Sequence, residues 1–201
     1  DGTKLATYGD LHSHMVDIKT LPPHVIQAFL AIEDHRFFSH FGVDLLGLMR
    51  AVWVNYRAGH VVQGGSTITQ QLAKNFLQSQ GLYGINDRSF RRKIQEAVLA
   101  VWLEYKFTKA QILTIYLNRV YLGSGTFGLS AASQHYFGKQ AKDLSLYEAA
   151  VIAGLLKAPS KYSPSNNPDL ADQRAATVLE NMVKEGFISE DLKDASLALA
   201  S

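Results

Sequence analysis

The sequence predicts a mainly α-helical, lobed domain with a small pair of strands at its N-terminus. Apolar residues recur at helical spacing in nine successive segments, and no part of the chain is rich in alternating apolar and polar residues. The chain has 201 residues, of which 47% are hydrophobic, so one well-formed core or two smaller lobes can be built. Internal repeats and low-complexity tracts are absent.

The predicted elements follow one another with short connections. Weak alternation over Thr3–Tyr8 and Met15–Leu21 favours a strand pair. Pro22 and Pro23 then open a helix that is predicted to run to Phe38, because proline is tolerated in a first helical turn. Later helices are predicted at 44–58, 66–79, 88–106, 109–119, 127–136, 145–157, 169–185 and 189–199.

Two of these helices begin with a capping-box pattern. Thr108 is followed three residues later by Gln111, and Ser145 is followed by Glu148. The Pro- and Asn-rich stretch 159–168 is predicted to be a loop. These signals place the helix boundaries independently of the hydrophobic pattern.

Composition excludes several classes of protein. The formal net charge is only +2, so a general basic field for nucleic acid is absent and any phosphate site must be local. There are no cysteines, which excludes disulfides and thiolate chemistry. No apolar run reaches membrane-spanning length, and the chain begins without a signal peptide.

The segment Gly64–Asn75 carries the strongest polar signal. A Gly-Gly turn leads into a helix with a hydrophilic face, on which helical spacing groups Thr67, Gln71, Lys74 and Asn75. The start of a helix offers unpaired N–H groups and the positive end of a dipole, both of which favour an anion. The pattern predicts a site for a polar, anionic ligand.

Glu33 lies where an acid or base could be tuned. It follows Ile26, Phe29 and Leu30 at helical spacing, on the apolar face of the first predicted helix. A carboxylate held against apolar groups has a raised pKa, as general acid–base catalysis near neutral pH requires. The alternative is a glutamate at a frayed helix end that extends into solvent.

The helix that starts near Arg88 changes character along its length. Its first turns are basic, and residues 97–103 are apolar on every side, which predicts a buried central helix. Arg92 and Glu96 would mark the point where this helix meets something polar. The alternative is an i,i+4 ion pair on the surface, which would contribute only a few tenths of a kcal/mol. The spacing is equally compatible with this alternative.

Helix 44–58 is more apolar than one buried stripe requires. Leu45, Leu46, Met49, Val52 and Trp53 cover more than one face. The core interpretation is favoured, and a membrane-facing surface is its competitor. The histidines at 35 and 40 fit no helical metal spacing, and no other ligand pattern indicates a metal centre.

At these residues the chain resembles glycosyltransferase family 51, the peptidoglycan glycosyltransferase domain of class A penicillin-binding proteins and monofunctional transglycosylases. The resemblance covers about Leu21 to Pro164 and rests on five ordered motifs. They are Glu33-Asp34-x-x-Phe37 with His40-x-Gly42, Gly64-Gly65-Ser66-Thr67-Ile68-Thr69-Gln70-Gln71-Leu72 with Lys74-Asn75, Arg92-Lys93-x-x-Glu96, Tyr116-Leu117-Asn118-x-x-Tyr121-x-Gly123, and Gly154-Leu155-x-Lys157-Ala158-Pro159.

The resemblance implies a lysozyme-like fold of two lobes around a long cleft, and an activity. Lipid II, a disaccharide-peptide on undecaprenyl pyrophosphate, is polymerised into β-1,4-linked glycan strands with inversion and release of the lipid pyrophosphate. Glu33 would be the catalytic base, and Glu96 would assist at the pyrophosphate. No obligatory cofactor is implied; Glu96 would act directly or through a divalent cation, Mg²⁺ or Mn²⁺.

The same resemblance assigns the substrate-binding residues and the partners. The binding positions are Asp34, Ser66, Thr67, Gln71, Lys74, Asn75, Arg92, Lys93, Tyr116, Asn118, Tyr121, Lys157 and Ser160. The implied partners are lipid II, the growing glycan strand, phosphoglycolipid inhibitors and, through helix 44–58, the membrane surface; other cell-wall synthesis proteins cannot be named, and nucleic acid is not a partner. The implied location is the outer, periplasmic or extracytoplasmic, face of the bacterial cytoplasmic membrane, with the anchor outside these residues.

The chain is expected to be a single glycosyltransferase domain. Residues 1–21 would be the N-terminal strands, 22–164 the catalytic core and 165–201 a helical bridge. No Ser-x-x-Lys occurs, so no penicillin-binding active site is present, yet both ends resemble a bifunctional class A parent. The alternative functions are a lysozyme-like glycan-cleaving enzyme, which has no need of the cations, and a non-enzymatic module for anionic glycolipids, which has no need of Glu33.

Overall fold

A computed structural model describes residues 15–60, 64–84, 87 and 89–199. The described elements are almost all helical, and pairing of extended residues is confined there to two isolated bridges. The helices are α1 Pro23–Glu33, α2 Leu45–Ala58, α3 Ile68–Ser79, α4 Phe90–Lys106, α5 Lys109–Arg119, α6 Leu129–Phe137, α7 Leu146–Gly154, α8 Pro168–Lys184 and α9 Glu190–Ala198. The mainly α prediction is therefore confirmed.

The chain divides into two compact units. One, the inserted unit, is Leu30–Tyr116, and the other, the discontinuous unit, combines residues up to Phe29 with Leu117 onward. Two helices cross from one unit to the other, since α1 ends in the inserted unit and α5 leaves it. The first turns of α1 and the last residues of α5 therefore belong to the discontinuous unit.

The predicted N-terminal strand over Met15–Leu21 is wrong. Ile18–Thr20 forms a single 3-10 turn, because the Asp17 side chain accepts a hydrogen bond from the Lys19 amide and caps the turn. Its supposed partner strand, Thr3–Tyr8, lies outside the described residues.

The first helix is shorter than predicted. It ends at Glu33 rather than Phe38, and a separate 3-10 turn covers Phe37–Ser39. The Asp34 amide still donates to Leu30, whereas its carboxylate accepts from the Ile68 amide of α3. This long-range bond is available to Asp34 only if the chain turns away from the helix at that point.

The inserted unit is built around the packing of α3 on α4. The buried side of α4 is partly polar, since it consists of Arg92, Glu96, Ala100 and Glu104. Its apolar run is not buried on every side, because Val98 is 66% exposed and Trp102 is 51% exposed. The prediction of an all-round buried helix is therefore wrong: small and charged side chains, not the bulky apolar ones, face α3.

Helix α2 also exposes its apolar residues. Ala51 is its one buried residue, whereas Leu46 is 56% exposed, Met49 61% and Trp53 59%. The Arg57 guanidinium lies 5.4 Å from the centre of the Trp53 ring, as in an amphipathic surface helix. The core interpretation of this helix is wrong among the described residues. Among the described helices, a stretch with the length and apolar character of a membrane span does not occur.

The core of the discontinuous unit is formed by α7 against α8. Residues 149–153 of α7 are all buried, and α8 contributes Ala171, Ala175, Val178, Leu179 and Met182. The segment expected to be a bridge from residue 165 thus contributes an essential layer of this core. Its first helix begins at Pro168, in agreement with the preference of proline for a first turn.

Both predicted capping boxes are confirmed. Gln111 and Thr108 exchange bonds at the start of α5, and Ser145 and Glu148 do so at the start of α7. Glu148 also accepts a 2.7 Å bond from Lys139. Burial raises the pKa of the Glu148 carboxyl, but the bonds from Lys139 and Ser145 outweigh it, and the net pKa is lowered.

We expect Glu148→Gln to destabilise the domain at pH 7 by about 0.5–1 kcal/mol, the size of an end-capping contact with a partly exposed ion pair. Because the folded pKa lies below the unfolded value, this contribution is complete above the unfolded pKa and is lost as the pH falls through the folded pKa. Urea unfolding at pH 7 and at pH 3 measures the difference, with exposed Glu180→Gln as control. An equal difference at both pH values would contradict the assignment.

Candidate active site

Glu33 is held by a polar contact rather than left at a frayed end. The Gln71 amide nitrogen donates to Glu33 Oε2 at 2.6 Å, and Tyr116 Oη donates to the Gln71 amide oxygen at 3.3 Å. Glu33 is the last residue of α1, Gln71 lies in the first turn of α3, and Tyr116 lies on α5. Three helices thus converge on one half-buried carboxylate, which supports the functional interpretation of Glu33.

Tyr116 forms the buried side of this arrangement. The ring is 1% exposed, although the sequence placed it among the substrate-binding positions. Burial, followed by the negative charges of Glu33 and Asp34, raises the pKa of Tyr116 well above its ordinary value. The phenol therefore stays protonated, and it can donate to Gln71 throughout the physiological range.

Asp34 occupies the anion position at the start of α3. Its Oδ2 accepts from the Ile68 amide at 3.0 Å, and the two carboxylate oxygens lie 3.0 and 2.9 Å from His40 Nε2. The sequence predicted unpaired amides and a bound anion at this terminus. The anion is supplied by the protein itself, because a buried carboxylate gains both the helix dipole and the direct bond. Asp34 is itself only 7% exposed.

Thr67 is the N-cap of α3 and not one of its helical residues. Its hydroxyl accepts from the Gln70 amide and donates to the Gly42 carbonyl at 2.6 Å. The face predicted to combine Thr67 with Gln71, Lys74 and Asn75 is therefore wrong at Thr67, which is 2% exposed. Gly42 itself packs against the backbone of α4: it has φ +83°, and a Cβ would lie 2.8 Å from the Ala100 carbonyl carbon, so only glycine fits there.

The second acidic residue lies under two cations. Glu96 is 1% exposed, with Arg92 Nε 2.9 Å from one carboxylate oxygen and Lys93 Nζ 2.9 Å from the other. Lys93 also donates to the Ser66 hydroxyl at 3.0 Å. Because Arg92 Nε is not aligned for a hydrogen bond, its contact is an ion pair. The buried interpretation of the Arg92–Glu96 spacing is confirmed, and the surface alternative is wrong.

The donor set around Glu96 does not fit a divalent cation. Both carboxylate oxygens face cationic nitrogens at 2.9 Å, so a metal ion would have to displace Arg92 or Lys93. Within the described ranges, no three His, Asp or Glu side chains come together as a metal-ligand group.

Lys74 and Asn75 follow Gln71 along α3. Lys74 is half-buried and Asn75 is exposed. Within the described part of the chain, Lys74 forms no ion pair with a carboxylate. A lysine in the turn after Gln71 is suited to an external anion. Eleven of the predicted site residues thus lie in the inserted unit: Glu33, Asp34, Ser66, Thr67, Gln71, Lys74, Asn75, Arg92, Lys93, Glu96 and Tyr116.

The remaining four predicted residues lie in the discontinuous unit. The Asn118 amide exchanges two bonds with the backbone of Val16, at 2.9 and 2.7 Å, so it fixes the N-terminal segment. The ring of Tyr121 is 42% exposed and packs against Phe127, with 5.0 Å between ring centres. Lys157 and Ser160 are exposed after α7.

Sequence reasoning missed the partner of Asp34. His40 was considered only as a metal ligand and as part of a family motif, although its side chain is 4% exposed and binds the Asp34 carboxylate. The useful signal was the separation of six residues between Asp34 and His40. The Phe-rich turn between them can bring the histidine back to the carboxylate. Thr69, Glu104 and Lys109, which also lie close to this region, received no role from the sequence.

Comparison with known proteins gives a consistent answer. The profile of the transglycosylase family matches residues 1–183. The chain is 50% identical over 190 residues to penicillin-binding protein 1A of Aquifex aeolicus, covering 94% of this chain and 25% of that protein. It is 45% identical over 194 residues to penicillin-binding protein 1A of Escherichia coli K12, covering 96% of this chain and 22% of that protein.

A solved structure shows the same fold. The crystal structure of penicillin-binding protein 1A from Haemophilus influenzae matches with a TM-score of 0.50 and 25% identity, over 90% of this chain and 17% of that one. The chain spans about a quarter of the length of the curated relatives it matches. With its two carboxylates, its cations and its match over most of its length, the chain belongs to the transglycosylase family, the peptidoglycan glycosyltransferases.

Proposed function

We propose that this domain polymerises lipid II into β-1,4-linked glycan strands with Glu33 as the general base. The observation that carries the proposal is the 2.6 Å contact between Gln71 and Glu33, which orients a carboxylate at the end of an apolar helix. The acceptor's 4-hydroxyl is a weak nucleophile, so a positioned base is required to take its proton. Attack on the donor's anomeric carbon inverts the configuration there.

The leaving pyrophosphate develops negative charge as the glycosidic bond forms. Lys93 and Arg92 are anchored on Glu96, and the Lys93 side chain remains 45% exposed. Together with Lys74 they supply preorganised positive charge, which stabilises a departing phosphate without proton transfer. Phosphoglycolipid inhibitors, which share this anionic group, would bind the same cations. The exposed Tyr121, Lys157 and Ser160 are proposed to contact the saccharide.

Lipid II incubated with the protein in detergent, with products sized on a gel, tests the function directly. A ladder of long strands is the expected result. Shortening of preformed strands without polymerisation would favour the lysozyme-like alternative. Binding of lipid II without either product would favour the non-enzymatic glycolipid module.

We further propose that α2 docks the domain on the outer face of the cytoplasmic membrane. Seven of its fourteen residues are exposed large hydrophobics, and its only charged residues are Arg50 and Arg57. An amphipathic helix with arginines and an interfacial tryptophan is typical of a membrane surface. A polymerase acting on a lipid-linked sugar must reach its substrate at the bilayer.

Replacing Leu46, Met49 and Trp53 together with Ser should reduce recovery of the domain in liposome flotation by about tenfold. Because all three side chains are exposed, the fold should survive the change. Burying one such side chain in lipid contributes up to about 1.5–3 kcal/mol to membrane binding. Circular dichroism checks the fold, and Leu192→Ser with Leu199→Ser provides a matched control on exposed apolar residues of α9 and its C-cap. Flotation equal to that of the parent would exclude α2 as the docking helix.

A further inference from the structure

A buried ion pair joins the end of α4 to the start of α5. Lys109 Nζ lies 2.7 Å from Glu104 Oε1, and the Glu104 side chain is 3% exposed. Burying a carboxylate is costly unless it is paired and hydrogen-bonded. Because Glu104 would be left unpaired without Lys109, the surrounding structure depends on both partners. Neither residue belongs to the predicted substrate-binding set.

The first arm of this pair reaches α3. Thr69 Oγ1 donates to the same Glu104 oxygen at 2.7 Å, and Thr69 is completely buried. Thr69 lies in the first turn of α3, two residues before Gln71. A directed bond to a charged acceptor therefore fixes the rotation of the helix turn from which the Gln71 amide reaches Glu33.

The second arm reaches the turn that follows Glu33. Lys109 Nζ lies 4.3 Å from the centre of the Phe37 ring, which is completely buried. Phe37 belongs to the turn in which its own amide donates to the Asp34 carbonyl at 2.9 Å. An ammonium held above the face of a buried aromatic ring is a specific contact. It fixes the ring, and with it the backbone that leaves α1 at Glu33.

We propose that Thr69, Glu104 and Lys109 are positioning residues that set the Gln71–Glu33 contact. This inference rests on the proposed base role of Glu33. One carboxylate–ammonium pair holds both sides of the contact: Glu104 holds the α3 side through Thr69, and Lys109 holds the Glu33 side through Phe37. Loss of either arm lets the amide and the carboxylate drift apart, while the α4 cations Arg92 and Lys93 remain anchored on Glu96.

The chain offers matched variants for each arm. Thr69→Val keeps the shape and removes the hydroxyl, whereas Thr69→Ser keeps the hydroxyl. Lys109→Met keeps the length and removes the charge, whereas Lys109→Arg keeps a cation. Lys106→Met is the control, since Lys106 lies over the exposed Tyr105 ring at the end of α4, the helix that carries Glu104. Should Lys109→Met fail to fold, Thr69→Val decides the outcome alone.

Lipid II polymerisation in detergent measures kcat and KM for the series, with Glu33→Gln included. Since a misplacement of about 1 Å can cost about a hundredfold in rate, Thr69→Val and Lys109→Met should lower kcat about 10- to 100-fold. Their KM and phosphoglycolipid Kd should stay within about twofold of the parent, because the cations of α4 are untouched. Thr69→Ser and Lys109→Arg should recover most of kcat, and Lys106→Met should match the parent.

Three results would count against the positioning role. Parental kcat in folded Thr69→Val and Lys109→Met, with an inactive Glu33→Gln, would overturn the positioning role and leave the base assignment standing. Parental kcat in Glu33→Gln would overturn the base assignment and the positioning role with it. A parallel rise in KM and Kd in both arm variants would show general loosening of the unit, and that result also counts against a specific positioning role.

Discussion

Glu33→Gln is expected to lower kcat for glycan polymerisation by about 100- to 10,000-fold, the range attributed to a positioned general base. Glutamine has the same shape and keeps an oxygen that can accept from Gln71, whose amide lies 2.6 Å from Glu33 Oε2. The variant should therefore retain the parental thermal midpoint and the parental affinity for phosphoglycolipids. Only the capacity to take a proton is removed.

Initial rates with lipid II, measured beside circular dichroism and calorimetric binding, provide the check. Glu180→Gln, an exposed substitution of the same kind on α8, is the control and should behave as the parent. Strand formation at the parental rate by Glu33→Gln protein would refute the base assignment. Neither of the other two residues of this contact could be the base instead of Glu33, since Gln71 and Tyr116 are not bases near neutral pH.

Lys93→Ala and Lys74→Ala are each expected to weaken phosphoglycolipid binding about 10- to 100-fold. A hydrogen bond to a charged group contributes about 1.5–3 kcal/mol, which corresponds to that range. Lys93 is oriented by Glu96 at 2.9 Å and by Ser66 at 3.0 Å, so little ordering remains to be done when an anion binds. Lys74 carries the same charge on the neighbouring helix.

Isothermal titration calorimetry measures both affinities, and Arg91→Ala is the matched control. Arg91 is exposed and immediately precedes the cationic pair, so it tests whether net charge alone determines binding. Its affinity should remain within about twofold of the parent, as expected for a surface charge screened by salt. A fall in Arg91→Ala equal to that in Lys93→Ala would show that the site is a diffuse field rather than a specific contact.

The helices could be predicted from the sequence because their signals are local. Capping residues such as Ser145 and Glu148 act within one turn, and the structure places a helix start where they predict it. The apolar periodicity likewise identified every described helix. The local signal failed at Phe38, because the end of α1 is decided by the distant Ile68 amide that binds Asp34.

Partners across the chain were less predictable. Helical spacing placed Glu33 with apolar neighbours, but it carried no information that Gln71, thirty-eight residues later, would donate to it. Helical spacing also grouped Thr67 with Gln71 on one face of α3, whereas in the structure Thr67 is the N-cap of that helix. A side chain at a helix boundary has a different direction from one inside the helix, and periodicity alone does not distinguish the two.

By itself the sequence determined the helical class, the order of the helices, the family motifs and the residue types that the chemistry needs. Only the tertiary structure decided that Arg92–Glu96 is buried, that α2 and one face of α4 are exposed, and that Asp34 fills the anion position of α3. The physical reason is that a pattern along the chain sets which face of a helix is apolar. Whether that face meets protein or solvent depends on contacts between residues that are far apart in sequence.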